Sequence, residues 1–162
     1  MIKNFLKILF LFLISYKTVF SEDLNTFEIL SDELEWNEKE KIAYARGNAS
    51  AQNKEKKLLA KELIVYLSEE NEIILIKASE NVFFYSPKDE ATGDQATYDL
   101  LKDIIIITGN VKLKREENIM HGEYLELDLV SGISKLSKGE NKEKVRMLFS
   151  TANDNESEEN GE

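Results

Sequence analysis

The residues best suited to chemistry in this 162-residue chain are carboxylates, since it has 31 aspartates and glutamates, one histidine and no cysteine. The absence of cysteine excludes a disulfide framework, a thiol nucleophile and a cysteine-based zinc site. His121 has no second metal ligand at a suitable spacing, and a hydrolytic triad would depend on it without a nucleophile elbow. No carboxylate pair has a recognisable glycosidase setting. We therefore predict that the protein is not an enzyme and has no catalytic residue, metal site or cofactor.

Two basic clusters could contact phosphate groups instead. Acidic residues are interleaved with both clusters, so solvated turn charges are the alternative interpretation. The formal net charge of -10 argues against a nucleic-acid binder, because phosphates would be repelled. An anionic ligand would therefore need an apolar part to supply the affinity. The first cluster is Lys54, Lys56, Lys57 and Lys61, and the second is Lys112, Lys114 and Arg115.

The N-terminal segment has the three parts of a secretory signal: two lysines, an apolar block over 8–14, and a polar exit over 15–17, followed by a possible cleavage site after Ser21. The apolar block is shorter than the roughly 20 residues of a membrane-spanning helix. An uncleaved inner-membrane anchor remains the alternative. Cleavage after Ser21 would leave 18 basic and 31 acidic residues, a net charge of -13. We predict a signal peptide over 1–21, one domain over 22–149, and a disordered acidic tail over 150–162.

The body of the chain has a period of two. Leu34 and Trp36 alternate with polar residues, as do Leu125, Leu127 and Leu129. Such alternation is typical of strands with one wet and one dry face, and short polar clusters between the runs indicate hairpin turns. We predict an all-β antiparallel meander, with a helical alternative only at 55–61. The predicted turns are 37–41, 53–57, 69–71, 86–90 and 116–118.

The chain also repeats itself. A shift of 62 residues places Asp32 on Asp94, Gly47 on Gly109 and Asn48 on Asn110. A finer step, alternating between 33 and 29 residues, relates Asn48, Asn81 and Asn110. A hairpin of this size cannot bury its own apolar face, so stacked copies must share one core. The two glycines lie inside predicted strands, where they indicate a bulge or a close backbone approach.

One segment carries a family resemblance. It begins Gly93-Asp94-Gln95-Ala96-Thr97-Tyr98-Asp99-Leu100 and continues Ile107-Thr108-Gly109-Asn110-Val111-Lys112-Leu113, with a weaker copy over 31–48. This pattern resembles the OstA-like family, over roughly residues 24 to 149, and is most similar to its LptA branch. The sequence departs from the pattern at Ser79-Glu80-Asn81, where the family has Thr-Gly-Asn, and at four alanines over 43–51.

The resemblance implies an open, V-shaped antiparallel β-jellyroll of repeated hairpins in the periplasm. It implies a lipopolysaccharide carrier that holds lipid A acyl chains in an apolar trough. It also implies inner-membrane LptC-like and outer-membrane LptD-like partners, and head-to-tail self-association through terminal strands near 32–37 and 145–149. Two alternatives remain: an anchored LptC-like subunit of the same pathway, and a ligand-free structural β-solenoid.

The predicted ligand-binding residues are apolar positions that alignment of the repeats places in one register. The alternative for each is an ordinary position in a closed core. Two further segments, 62–67 and 104–107, are apolar on both faces, so we expect them to be covered twice or to contact a partner. The predicted residues are Leu34, Trp36, Leu63, Val65, Val82, Phe84, Tyr98, Ile105, Ile107, Val111, Leu113, Leu125 and Leu127.

Overall fold

The structure is a computed structural model that describes residues 26–139 and 143–149, in which the chain forms ten β-strands. The predicted signal peptide and acidic tail lie outside the described residues. No helix in the described ranges is long and apolar enough to cross a membrane. The strands are β1 (Glu28–Leu30), β2 (Glu33–Asn37), β3 (Ile42–Gln52), β4 (Lys57–Leu67), β5 (Ile73–Tyr85), β6 (Glu90–Asp99), β7 (Ile104–Arg115), β8 (Asn118–Asp128), β9 (Ser134–Ser137) and β10 (Arg146–Leu148).

All ten strands belong to one antiparallel sheet. From β3 to β8 each strand pairs with the next along the chain, as in the predicted meander. At one edge both β1 and β2 pair with β3, and at the other edge both β9 and β10 pair with β8. Four of the five turns between the long strands fall where polar clusters predicted them, whereas the β6–β7 turn at 100–103 was not predicted. The segment with a helical alternative, 55–61, instead contains the start of β4 at Lys57.

The long strands share an irregularity near their middle. The pairing register shifts in every ladder from β3/β4 to β7/β8. At these points three residue pairs have the left-handed backbone: Gly47 with Asn48, Glu80 with Asn81, and Gly109 with Asn110. These pairs are the predicted series of repeats. Bulges bend the strand that carries them, so aligned bulges in β3, β5 and β7 place a fold line across the whole sheet.

The sheet bends over along this fold line. Phe84 pairs with Ala91, and an extended strand would span roughly 23 Å from Ala91 to Tyr98. The ring centroids of Phe84 and Tyr98 are nevertheless only 6.2 Å apart, in an edge-to-face contact. The two halves of the sheet therefore face each other. We call them leaf 1 (β2, β9 and residues 42–46, 62–67, 73–79, 95–99, 104–108 and 124–128) and leaf 2 (β1, β10 and residues 49–52, 57–60, 82–85, 90–93, 111–115 and 118–122).

Two of the three corners are built from the same three residue types. Asp94 accepts a hydrogen bond from Asn110 Nδ2 at 2.8 Å, and Asp32 accepts one from Asn48 Nδ2 at 2.9 Å. The corner between them departs from this pattern.

In the middle corner, the register of the ladders places Lys61 where the other corners have aspartate and Glu80 where they have glycine. The Lys61 ammonium binds the Glu80 carboxylate at 2.8 Å, and this contact raises the pKa of Lys61. An ion pair therefore replaces the amide–carboxylate bond, and the corner forms although the sequence lacks the glycine.

Candidate ligand-binding interior

The predicted ligand-binding residues lie almost entirely between the two leaves. All except Leu34 and Trp36 have an exposed fraction of 2% or less. They form continuous cross-strand rows: one runs from Leu63 on β4 through Ala78 and Ala96 to Ile107 and Leu125. A parallel row contains Val65, Ile76, Tyr98, Ile105 and Leu127. Val82, Phe84, Val111 and Leu113 line leaf 2.

Leu34 and Trp36 continue these rows to the edge of the sheet. They pair with Ala45 and Ala43, so they share the inward face of β3. Leu34 is 59% exposed and Trp36 is 47% exposed, because β2 is an edge strand and no strand among the described residues pairs with its outer side. Trp36 is therefore not a buried plug of the core, and the apolar interior reaches solvent at this edge.

The inward surface next to this edge is lined by small side chains. Ala43, Ala45, Ala49 and Ala51 of β3 are all buried, where the family pattern has bulky residues. Alanine side chains fill little volume. The interior is therefore filled mainly by side chains of β4 to β8.

The open ends of the leaves, opposite the fold line, form a mouth. Here a cavity of about 760 Å³ lies between the β3–β4 turn of leaf 2 and the β4–β5 and β6–β7 turns of leaf 1. Its lining combines apolar side chains, including Phe27, Leu67, Ile73 and Leu100, with polar ones. The polar lining residues are Thr26, Asn53, Lys56, Asn71, Glu72 and Asp103.

A three-residue cluster links the two leaves at this cavity. Lys56 of leaf 2 donates to both oxygens of Asp103 in leaf 1, at 2.8 and 2.7 Å. The Tyr98 hydroxyl donates to Asp103 and accepts from Lys56 Nζ at 3.2 Å. Burial and the hydrogen bond to the Asp103 carboxylate both raise the pKa of Tyr98. We call this cluster the Lys56 latch.

A second link crosses the mouth farther along. Arg115 at the end of β7 binds Asp89 through Nε at 2.6 Å and donates from Nη1 to the carbonyl of Gly132 at 2.9 Å. Asp89 is only 5% exposed. Arg115 Nη2 is buried and has no hydrogen-bond partner among the described residues. Lys56 and Arg115 belong to the two predicted basic clusters, but both are engaged in contacts within the protein and are not solvated turn charges.

The segments 62–67 and 104–107, which are apolar on both faces, are covered by protein on one face only. Ile105 and Ile107 point inward and are fully buried, whereas Ile104 and Ile106 lie on the outer face with Ile64 and are half-buried. Nothing in ranges 26–139 and 143–149 forms a second layer over them. The expected double cover is therefore wrong for the described residues, and partner contact at this face stays a prediction.

His121 lies on the outer face of β8, opposite Lys112 and Arg146, and is exposed. No group of three histidine, cysteine or acidic residues within the described ranges could hold a metal ion. The latch residue that sequence reasoning missed is Asp103, which lies 47 positions from Lys56 and is related to it by no local pattern.

The geometry is therefore that of a folded antiparallel sheet with a continuous apolar interior, closed at its mouth by polar links and open at its edges. The chain belongs to the family described as LptA/(LptD N-terminal domain) LPS transport protein, which matches residues 28–133. Since this is a family of transport proteins, the chain is not an enzyme.

A solved structure supports the fold. The chain is similar to the crystal structure of LptH from Pseudomonas aeruginosa, described as the LptA homologous periplasmic component of the lipopolysaccharide transport device, with a TM-score of 0.73. The match covers 78% of this chain and 96% of that one at 14% identity, so it shows the shared β-jellyroll alone. No curated protein sequence matches the chain.

Proposed function

We propose that the protein is a periplasmic carrier that binds lipopolysaccharide by its acyl chains and passes it from the inner towards the outer membrane. The observation that carries this proposal is the continuous row of inward apolar side chains from Trp36 at the edge to Leu127 on β8. The family membership of residues 28–133 supports it.

The apolar interior can supply the affinity without a catalytic or charged group. Each buried CH₂ of an acyl chain contributes about 0.8 kcal/mol, so about ten buried methylenes supply the roughly 8 kcal/mol that corresponds to micromolar binding. The protein's formal charge of -10 opposes an anionic headgroup. Binding should therefore depend on the length of the acyl chain more than on the charge of the headgroup.

The ligand must displace contacts between the leaves. Leu63, Phe84, Ile107 and Leu125 have no exposed surface, so an acyl chain can contact them only when the leaves separate. The backbone is continuous across the fold line, whereas non-covalent contacts hold the mouth. Separation therefore occurs most readily at the mouth, which opens the V without unfolding either leaf.

The edges are suited to strand addition. Leu30 of β1, Leu34 of β2, and Met147 and Leu148 of β10 are all more than 40% exposed. Strands at an open edge offer unpaired backbone groups to another chain. We propose that copies associate head to tail, with the β1/β2 edge of one meeting the β9/β10 edge of the next. The LptC-like and LptD-like partners would use the same edges at the ends of the bridge.

Photo-crosslinking in cells tests the carrier function. A crosslinking residue at Val111 or Leu127, both inward, should give lipopolysaccharide adducts. The matched controls are Lys112 and Asp128, the next positions on the same strands and on the outer face. Adducts at all four positions, or at none, would contradict the proposal, and the latter result would favour a ligand-free structural β-protein. N-terminal sequencing of the exported protein distinguishes a cleaved carrier from an anchored LptC-like subunit.

A further inference from the structure

We infer that the cavity beside the Lys56 latch is the place where an acyl chain first enters the protein, and that the latch must open to admit it. This inference rests on the proposed carrier function. The entry point is a single position along the mouth, the ligand is a linear acyl chain, and the latch contacts control its access.

The position follows from the packing. The cavity of about 760 Å³ falls in the range of roughly 300–1,000 Å³ that is typical of small-molecule sites. It lies next to the buried interior: Tyr98, which lines the cavity, contacts Phe84 inside the protein and Phe27 at the rim, with centroids 6.2 and 6.1 Å apart. A chain that displaces Tyr98 therefore passes directly from the cavity to the interior rows.

The ligand class follows from the lining. Phe27, Leu67, Ile73 and Leu100 provide apolar contact, and Leu101 at the rim is 77% exposed, so it offers apolar surface to a chain that arrives from solvent. The charged groups of the lining do not favour an anionic head: Lys56 already donates to both oxygens of Asp103, and the remaining charged residue, Glu72, would repel an anion. The cavity therefore accommodates an apolar chain better than a charged head.

The latch controls access because it joins opposite leaves. Lys56 precedes β4 in leaf 2 and Asp103 precedes β7 in leaf 1, so their contact closes the mouth over Tyr98. The side chains are 18% and 27% exposed, which limits screening by solvent. The Lys61–Glu80 pair has a similar contact of 2.8 Å but joins neighbouring strands at the fold line, so it cannot restrain the mouth.

Crosslinking between introduced cysteines tests the inference. The natural chain has no cysteine, so the introduced thiols are the only ones that can react. We would prepare Lys56→Cys/Asp103→Cys, join the two thiols with a short bismaleimide, and follow uptake of a conjugated polyene fatty acid by its fluorescence. The control is Lys61→Cys/Glu80→Cys, crosslinked in the same way. The inference predicts that the first crosslink abolishes rapid uptake and that the control crosslink leaves it unchanged. Uptake at the wild-type rate through a crosslinked latch would overturn it.

A single substitution tests the same point without crosslinking. Asp103→Asn keeps hydrogen-bonding atoms but removes the charge, so uptake should be about fivefold faster, the ratio that ~1 kcal/mol in the barrier gives. The fatty alcohol of equal chain length should show the same acceleration, since the latch acts on the chain and not on the head. Circular dichroism confirms that each variant is folded. If the wild type takes up lipid but Asp103→Asn is no faster, the latch inference fails and the carrier function stands; if no folded form takes up lipid, the carrier function fails.

Discussion

Asp94 and Asn110 meet at the corner where β6 and β7 cross the fold line, and the Asp94 carboxylate accepts a 2.8 Å hydrogen bond from the Asn110 amide. Gly109, directly before Asn110 in the chain, has a φ of +78°, and its missing side chain leaves room for the Asp94 carboxylate. The corner therefore needs glycine for two reasons, the left-handed backbone and the close approach of Asp94.

Replacing Gly109 separates these two reasons. Gly109→Ala should lower the free energy of unfolding by more than about 2 kcal/mol, because a left-handed non-glycine residue costs roughly 1–2 kcal/mol and the new Cβ also clashes with Asp94. Gly132→Ala is the matched control, since Gly132 has φ +73° and nothing within 4 Å of a Cβ. Urea denaturation measures both. Equal losses in the two variants would contradict the packing role, and Asp94→Ala/Gly109→Ala should recover part of the loss.

The corners show how far the sequence predicts this fold. Asn48, Asn81 and Asn110 were predicted as one series, and the structure places all three at equivalent bends. The middle corner was less recognisable because Glu80 replaces glycine and is stabilised by Lys61, a pairing that depends on strand register and not on local sequence. Alternation predicted which residues point inward, since that follows directly from the period of a strand.

The latch and the closeness of the leaves were not predictable in the same way. Lys56 and Asp103 meet only because the sheet folds over with a particular offset between turns, and that offset is a property of the whole sheet. The exposure of Trp36 was also not predictable from local sequence. Trp36 alternates with polar residues in the same way as the buried residues do, but its strand lies at the edge of the sheet.

Tyr98 of the latch makes the free energy of unfolding depend on pH in the alkaline range. The pKa of Tyr98 is raised in the folded state, so the neutral hydroxyl stabilises the fold below about pH 10, the ordinary tyrosine pKa. As the pH rises further, the unfolded state ionises first and stability falls by up to ~1.4 kcal/mol per pH unit. Tyr98→Phe lacks this ionisation and should lose less stability between pH 9.5 and 11.5, although it is less stable at pH 7. Parallel pH slopes in urea denaturation would contradict the prediction.

Truncation of a leucine to alanine should lower the free energy of unfolding in the buried interior but hardly at the rim of the cavity. Leu125→Ala removes a fully buried side chain between the leaves and should cost about 2–5 kcal/mol of unfolding free energy. Leu101→Ala at the exposed rim of the cavity should change stability by less than about 0.5 kcal/mol. Thermal or urea denaturation compares the two. The carrier proposal adds that Leu101→Ala slows the uptake of a fluorescent fatty acid, whereas a rim residue without a role in binding would leave uptake unchanged.

Self-association should depend on the apolar edge strand. Leu34 is 59% exposed on β2, at the edge that we propose meets the β9/β10 edge of the next copy. Leu34→Lys places a charge in that contact. The concentration at which the protein associates should rise at least about tenfold, which corresponds to a loss of ~1.4 kcal/mol of association free energy per contact. Sedimentation velocity over a concentration series measures this, and Trp36 fluorescence gives a second signal because it should move to shorter wavelength as the edge is covered. The control is Lys39→Ala, in the exposed turn after β2. If Leu34→Lys associates like the wild type while Met147→Lys does not, the chains meet through the β10 edge alone and the head-to-tail arrangement is wrong.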